Sequence, residues 1–306
     1  MMQVTFLGTS AALPTVDRNV SSLMVQREGE LLMFDCGEGT QRQMMRYTSG
    51  FGVEDIFITH YHSDHILGIP GLLRTMGLQG RTAPIRLHGP RGAQKQLAPL
   101  ITLGMEWPKF PVEIVELRID EILNRGDYDI VVGEAKHKGE CFSYAIVEHD
   151  RLGRFDPERA REMGIPEGPM WGKIHKGESI TLGDGRVVAP AELVGSPRSG
   201  RRLVISGDTG PSSSLAELAR GADLLIHEAT FGADEAARAR ETGHSTAGEA
   251  AAVARDAGVR RLALTHISAR YTREAPELVA EARAVFEATD IARDGMVLDV
   301  PYTTSS

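Results

Sequence analysis

The sequence predicts an α/β protein, and three observations predict it. Short apolar runs of strand length alternate with helix-like stretches along the chain, an order that packs helices on a sheet. Several of these runs pass abruptly into His, Asp or Glu. The hydrophobic fraction of 42% and the charged fraction of 25% are those of a folded globular chain, which excludes disordered, collagen-like and coiled-coil classes.

In chain order, QVTFLG (3–8) and LLMFDCG (31–37) read as strands closed by glycine, with a helical pattern at 39–46 between the second and the next strand. DIFITH (55–60) reads as a buried strand, followed by helical patterns at 67–76, 91–100 and 156–163. RLVISGD (202–208), DLLIHEA (223–229) and RLALTH (261–266) are further buried strands that end in polar residues. Helices are expected at 214–220, 245–257 and 275–287. The helix at 245–257 is Ala-rich, and Thr246 and Glu249 have the spacing of a capping box at its start. Met44, Met45 and Met76 are expected to face the core, and Cys36 to be a small buried residue.

The length of 306 residues corresponds to about two domains at ~150 residues each, but large α/β sandwiches reach this size as one unit. A single domain over 1–306 with an insertion at about 150–200 is expected. The excess of 42 Asp and Glu over 34 Lys and Arg gives a net charge of −8, which argues against indiscriminate nucleic-acid binding. It leaves room for a basic patch, for which one segment is the candidate. From Asp150 to Arg202 there are ten basic and eight acidic residues, with many Gly and Pro, the composition of a protruding arm or of an ordinary surface excursion of mixed charge. No apolar run reaches the ~18–20 residues that span a bilayer, and the N-terminus lacks the pattern of a signal peptide. Two cysteines, Cys36 and Cys141, build no disulfide framework, so a cytoplasmic location and no membrane partner are expected.

The chemistry is concentrated where strands end. Four runs close on a potential metal ligand: His60, Asp208, His227 and His266. Strand ends of one sheet converge at an edge, where α/β proteins bind ligands. The first run continues as His60-Tyr61-His62-Ser63-Asp64-His65. Residues two apart on an extended segment point the same way, so His60 and His62 close on one ion. Asp64 and His65 are adjacent and diverge, which suits a second ion beside the first. Imidazole and carboxylate ligands without thiolate suit zinc or manganese.

This H-x-H-x-D-H run after a strand resembles the signature of the metallo-β-lactamase superfamily. The resemblance implies a four-layer αββα sandwich with a dinuclear site at one edge of its two sheets. It also implies three further ligands, for which His137, Asp208 and His266 stand in the right order, His149 being the alternative to His137. FLGTSAALPTVDRNVSS (6–22), FDCGEGTQRQM (34–44), HEATF (227–231), GHST (243–246) and LTHISARY (264–271) together are similar to the ribonuclease Z family of tRNA 3′-processing endonucleases. GIPEGPMWGKIHKGE (164–178) resembles the Gly-Pro segment of that family's tRNA-gripping arm. Val16 stands where the family's early loop often has lysine, and Ser143-Tyr144 where Gly-Tyr is common.

The resemblance implies two Zn2+ ions per subunit, with Mn2+ as the alternative, held by His60, His62 and His137 on one side and Asp64, His65 and His266 on the other. Asp208 would bridge them. Such a pair activates water and clamps a phosphate, and Asp64 is implied to orient the nucleophile and accept its proton. His244, just before a helix N-terminus, is the candidate general acid. Glu228 is its implied carboxylate partner, with His227 in support. Precursor tRNA is the implied substrate and a homodimer the implied assembly. Arg151, Arg154, Lys173 and Lys176 are candidate phosphate contacts on the arm, Gly168-Pro169 shape its tip, and Trp171 packs or stacks. His88, His149 and His175 carry no motif and are read as structural or surface residues. The competing expectations are a general phosphodiesterase of small esters and a non-catalytic RNA-binding subunit.

Overall fold

The computed structural model describes residues 1–48, 50–104 and 107–303. Strands β1 (Met2–Gly8), β2 (Ser10–Ala11), β3 (Ser22–Arg27) and β4 (Glu30–Phe34) precede helix α1 (Thr40–Tyr47). Next come β5 (Asp55–Phe57), α2 (Ser63–Ile66), α3 (Ile69–Leu78), β6 (Ile85–Gly89), α4 (Ala93–Ile101) and β7 (Val112–Glu116). The chain continues with β8 (Ile122–Asn124), β9 (Tyr128–Ala135) and β10 (Cys141–Glu148), then α5 (Pro157–Glu162), α6 (Pro169–His175), β11 (Ile180–Thr181) and β12 (Val187–Val188). The last stretch comprises β13 (Arg202–Ile205), α7 (Ser213–Leu218), β14 (Leu224–Glu228), α8 (Ala236–Thr242), α9 (Ala247–Asp256), β15 (Leu262–Thr265), β16 (Ile267–Ser268), α10 (Pro276–Arg283), β17 (Thr289–Ile291) and β18 (Val297–Asp299).

Two seven-stranded sheets result, in the orders β18-β1-β3-β4-β5-β6-β7 and β17-β15-β14-β13-β10-β9-β8. Side chains alternate across a strand, and both faces of the central strands are apolar. In β1 and β4, Val4, Phe6, Leu32 and Phe34 join Tyr144, Leu203, Ile205 and Ile226 of the second sheet in the core between the sheets. The other faces, with Met24, Met33 and Ile56, pack under α1, α3 and α4. Val204, Leu225 and Leu264 pack under α7, α9 and α10. Residues 1–147 and 202–301 therefore form helices, sheet, sheet, helices in four layers.

Residues 148–201, with 302 and 303, form a second compact unit. Its own small core contains Ala160, Ile165, Ile174, Ile180, Val188 and Leu193. Arg201 and Glu148 form a buried ion pair at 2.7 Å. The guanidinium groups of Arg151 and Arg201 lie 3.3 and 3.9 Å from the ring centre of Tyr302. Pro157 and Pro169 sit in the first turns of α5 and α6, where the missing N–H costs nothing. Trp171 packs against this core and its indole N–H donates to the Ile165 carbonyl at 3.2 Å.

The expected elements at 3–8, 31–37, 55–60, 202–208, 223–229 and 261–266 all contain strands, and in all but the first, which closes on Gly8, the last polar residue lies at or just past the strand end. One expectation is corrected. Met44 and Met76 are buried, but Met45 is 68% exposed. Adjacent helical residues are turned by about 100° from each other, so α1 cannot bury both. No helix among the described residues is long and apolar enough to cross a membrane.

Candidate metal centre

Strand direction brings the polar ends together. β13, β14 and β15 are parallel neighbours, so Asp208, Glu228 and His266 leave the second sheet at one edge. β10 runs antiparallel to β13 with Tyr144 opposite Ile205, which returns the β9–β10 connection, carrying His137, to the same edge. Two turns that carry candidate ligands are sharply bent: His266 has φ 55° and Gly207, just before Asp208, has φ 62°. A Cβ on Gly207 would stand 2.6 Å from the Phe142 carbonyl oxygen, so this turn needs glycine on both counts.

The His60–His65 turn is held by the FDCGEG segment. Cys36 N–H donates to the His65 carbonyl at 2.7 Å and Gly68 N–H to the Cys36 carbonyl at 2.8 Å. The backbones approach so closely that a Cβ on Gly37 would lie 2.2 Å from the Asp64 carbonyl oxygen. From the early loop, Ala12 N–H donates to Asp64 Oδ2 at 2.9 Å. That loop is anchored by buried Arg18, which donates to Thr9 Oγ1 at 2.7 Å and the Ala292 carbonyl at 2.6 Å, while Val16 is fully exposed.

The result is two adjoining groups of ligand atoms. His60, His62, His137 and Asp208 form one and Asp64, His65 and His266 the other, the atoms of each group lying within 4.8 Å of one another. Asp208 stands between them: its Oδ2 is 3.6 Å from His60 Nε2 and 3.4 Å from His65 Nε2, and its Oδ1 is 3.3 Å from His266 Nε2.

Hydrogen bonding fixes which imidazole nitrogen faces this space. His65 Nδ1 is 2.7 Å from Asp35 Oδ2 and His137 Nδ1 is 2.8 Å from the Gly243 carbonyl oxygen. Both partners only accept, so both Nδ1 atoms carry the proton. Thr59 donates its hydroxyl to Asp35 at 2.9 Å and therefore accepts from His60 Nδ1 at 3.0 Å. Thr230 likewise donates to Glu228 Oε2 at 2.7 Å and accepts from His266 Nδ1 at 2.9 Å. In all four rings it is therefore Nε2 that faces the cluster. The Nε2 atoms of His60, His65 and His137 are buried without a hydrogen-bond partner, a costly state for protein alone and the one a cation relieves. The donor set fits divalent metal.

Charge in this space is strongly coupled. Burial pulls His60 below its usual range, with neighbouring His65 adding to the effect. Against the opposing pull of burial, Asp208 and Asp35 hold His65 well above that range. Burial also opposes ionisation of Asp64, but His266 and His65 hold its carboxyl below the usual carboxylate range.

Beside the ligands lies a second device. His244 Nδ1 is 2.7 Å from Glu228 Oε1. Glu228 is 1% exposed, yet its oxygens also accept from the N–H groups of Thr209 and Thr230, each at 3.0 Å. A carboxylate so surrounded stays ionised despite burial. Burial alone would lower His244, but Glu228 raises it to about 9. With Nδ1 engaged, Nε2 of His244 faces the cluster, where His244 also groups with Asp208 and His266.

Every ligand expected from sequence lies in the cluster, and His149 is exposed and outside these groups. His227 is fully buried, its Nδ1 2.7 Å from the Glu228 carbonyl oxygen. His88 is structural, with Nε2 2.7 Å from Asp55, and His175 Nε2 is 3.1 Å from the Gly153 carbonyl oxygen. In the second unit Arg154, Lys173, Lys176, Gly168 and Pro169 are exposed and Arg151 is half-buried. Sequence reasoning missed Asp35, Thr59 and Thr230, which orient the imidazoles. Asp35 carried a signal, since it ends a strand-like run as the ligands do.

Two packed sheets with a His/Asp cluster along their strand ends define a metal-dependent hydrolase of the metallo-β-lactamase fold. The family model of the metallo-β-lactamase superfamily matches residues 15–150, and that of the β-lactamase superfamily domain matches 155–267. A metallo-β-lactamase fold protein from Bacillus subtilis superposes with a TM-score of 0.71 at 21% identity, over 98% of this chain and 100% of that one. Human tRNase Z, short form, gives 0.69 at 29% identity, over 98% and 99%. The ribonuclease Z of Gemmatimonas aurantiaca is 58% identical over 98% of this chain and 96% of its own length. That of Myxococcus xanthus is 50% identical over 98% of each. The chain belongs to the ribonuclease Z family, and it is an enzyme, a metal-dependent hydrolase of the endoribonuclease class.

Proposed function

We propose that this protein removes the 3′ trailer from precursor tRNA, cutting after the discriminator base to leave a 3′-hydroxyl on the tRNA and a 5′-phosphate on the trailer. The observation that carries the reading is the His244–Glu228 pair at 2.7 Å beside a ready-made cluster of seven ligands. Hydrolysis of a phosphodiester needs that combination of a charge clamp with a proton donor for the departing oxygen.

His60, His62 and His137 would hold one Zn2+ and Asp64, His65 and His266 a second, with Asp208 shared; Mn2+ is the alternative. Bound divalent ions lower the pKa of a water and neutralise the phosphoryl oxygens. Asp64, steadied by the Ala12 N–H, orients the attacking water and receives its proton. His244 gives the proton on Nε2 to the leaving 3′ oxygen, and Glu228 keeps the ring charged and aimed until then.

Substrate choice belongs to residues 148–201. Arg151, Arg154, Lys173 and Lys176, with Gly168 and Pro169, offer cations to the backbone of a folded RNA, which is recognised through shape and phosphate. In the homodimer this unit of one subunit serves the site of the other, in the cytoplasm where precursor tRNA is made.

The test is cleavage of a 3′-extended precursor tRNA with both product ends mapped, alongside Asp64→Ala and a metal count. A single cut past the discriminator base, lost in the variant, with about two metals per chain, is the expected result. Bound metal and hydrolysis of a small diester without any cut in tRNA would transfer the reading to a general phosphodiesterase.

A further inference from the structure

Next to the cluster a cavity of about 430 Å3 is lined by Lys136, Lys138, Arg240 and Glu241 and floored by His137 and His244. Its volume is within the ~300–1,000 Å3 typical of ligand sites. We propose that Lys136, Lys138 and Arg240 form a subsite for a backbone phosphate adjoining the one that is cut, an inference that rests on the tRNA-processing reading above.

The three cations are mounted on the pieces that fix the reacting groups. Lys136 and Lys138 flank His137, and the Lys136 backbone is pinned beside Asp208: its N–H donates to Thr209 Oγ1 at 2.9 Å and its carbonyl accepts from Gly210 N–H at 2.9 Å. Arg240 lies in the last turn of α8. That helix ends at Gly243, whose carbonyl oxygen lies 2.8 Å from His137 Nδ1. The distance from these cations to the cut phosphate is therefore set by the same short segments that place His137 and His244.

Charge defines the occupant. Three cations face one carboxylate, that of Glu241, in a chain of net charge −8. Among the described residues the side chains of Lys136, Lys138 and Arg240 make no ion pair or hydrogen bond. A cleft lined mainly by one sign of charge concentrates ions of the opposite sign, here an anion that is not part of the protein. A polymer held at one phosphodiester must place its neighbouring phosphates nearby, on the retained RNA or on the trailer.

The experiment compares wild type with the Lys136→Ala/Lys138→Ala/Arg240→Ala variant on precursor tRNA over a range of salt. The expected result is a rise in KM of about tenfold, exceeding any change in kcat, and a dependence of log kcat/KM on log salt shallower by about 2. Metal content and unfolding temperature should match wild type, since all three side chains are exposed. Glu241→Gln should move KM the opposite way, which a structural role would not predict. A substrate whose trailer is one nucleotide long assigns the phosphate: an effect that persists places it on the retained RNA, and one that vanishes places it on the trailer. If wild type cuts precursor tRNA and the triple variant shows the same KM and salt slope, the subsite is overturned. If wild type does not cut precursor tRNA at any salt, the functional reading falls first.

Discussion

A threonine hydroxyl has one proton to give, and at two places in this site that proton decides what a histidine does. Thr230 gives it to Glu228 Oε2, so it accepts from His266 Nδ1 and turns Nε2 toward the cluster. The same oxygen thereby couples a ligand to the carboxylate that charges His244. Thr230→Val keeps the shape and removes the coupling. It is expected to lower metal affinity or turnover by about 10–100-fold, the usual effect of losing such an outer partner. A competitive metal titration of the variant checks this, and unchanged affinity together with unchanged turnover would refute the role.

At the scale of elements, β5 is secured by a buried acid. Asp55 accepts from Arg86 Nε at 2.6 Å and Arg125 Nη2 at 2.8 Å and lies 2.7 Å from His88 Nε2. It thus joins β5 and β6 to the turn between β8 and β9. Burial raises such a carboxyl, but Arg86, His88 and Arg125 overcome it and hold Asp55 below the usual range. Because the pKa is depressed in the fold, the stabilisation is complete above the unfolded value near ~4 and is lost as pH falls below it. Asp55→Asn is expected to cost about 3–5 kcal/mol at neutral pH, with the gap to wild type narrowing below about pH 4, as read by denaturant unfolding. The elements that sequence revealed are those like β5, whose apolar runs close abruptly on a polar residue or a glycine. β7 and β8 are half-exposed and irregular in burial, so they show neither a period nor a continuous apolar run. β17 and β18 are three residues long, too short to carry a pattern at all. Helix α6 is preceded by Gly168 and begins at Pro169, which read as a break because both residues also mark turns. Of the candidate ligands, His60, His62, Asp64 and His65 were legible from spacing and Asp208 and His266 from their place at strand ends, whereas His137 was reached only through the family resemblance. The orienting partners were not legible, because Thr59, Thr230 and the Gly243 carbonyl acquire their roles only from strand register.

At the scale of the whole four-layer unit, the cluster sits across the two sheets. His60, His62, Asp64 and His65 follow β5 of the first sheet, whereas His137, Asp208 and His266 follow β9, β13 and β15 of the second. A bound cation is therefore a cross-tie between the two sheets, added to their shared apolar core and to the Asp55–Arg125 ion pair. It also relieves the buried, unpartnered Nε2 atoms of His60, His65 and His137. A ligand that binds only the folded state stabilises it by about 4 kcal/mol at a thousand times its Kd. For a chain of this size that raises the unfolding temperature by roughly 10 °C. Removal of metal by a chelator should lower the unfolding temperature by that order, and added Zn2+ should restore it. Asp208→Ala removes the residue shared by both groups, so its unfolding temperature should respond far less to either treatment. Equal responses in the two proteins would mean that the metal stabilising the fold is held elsewhere. A loss confined to wild type would show that the residues of the cluster are also those that tie one sheet to the other.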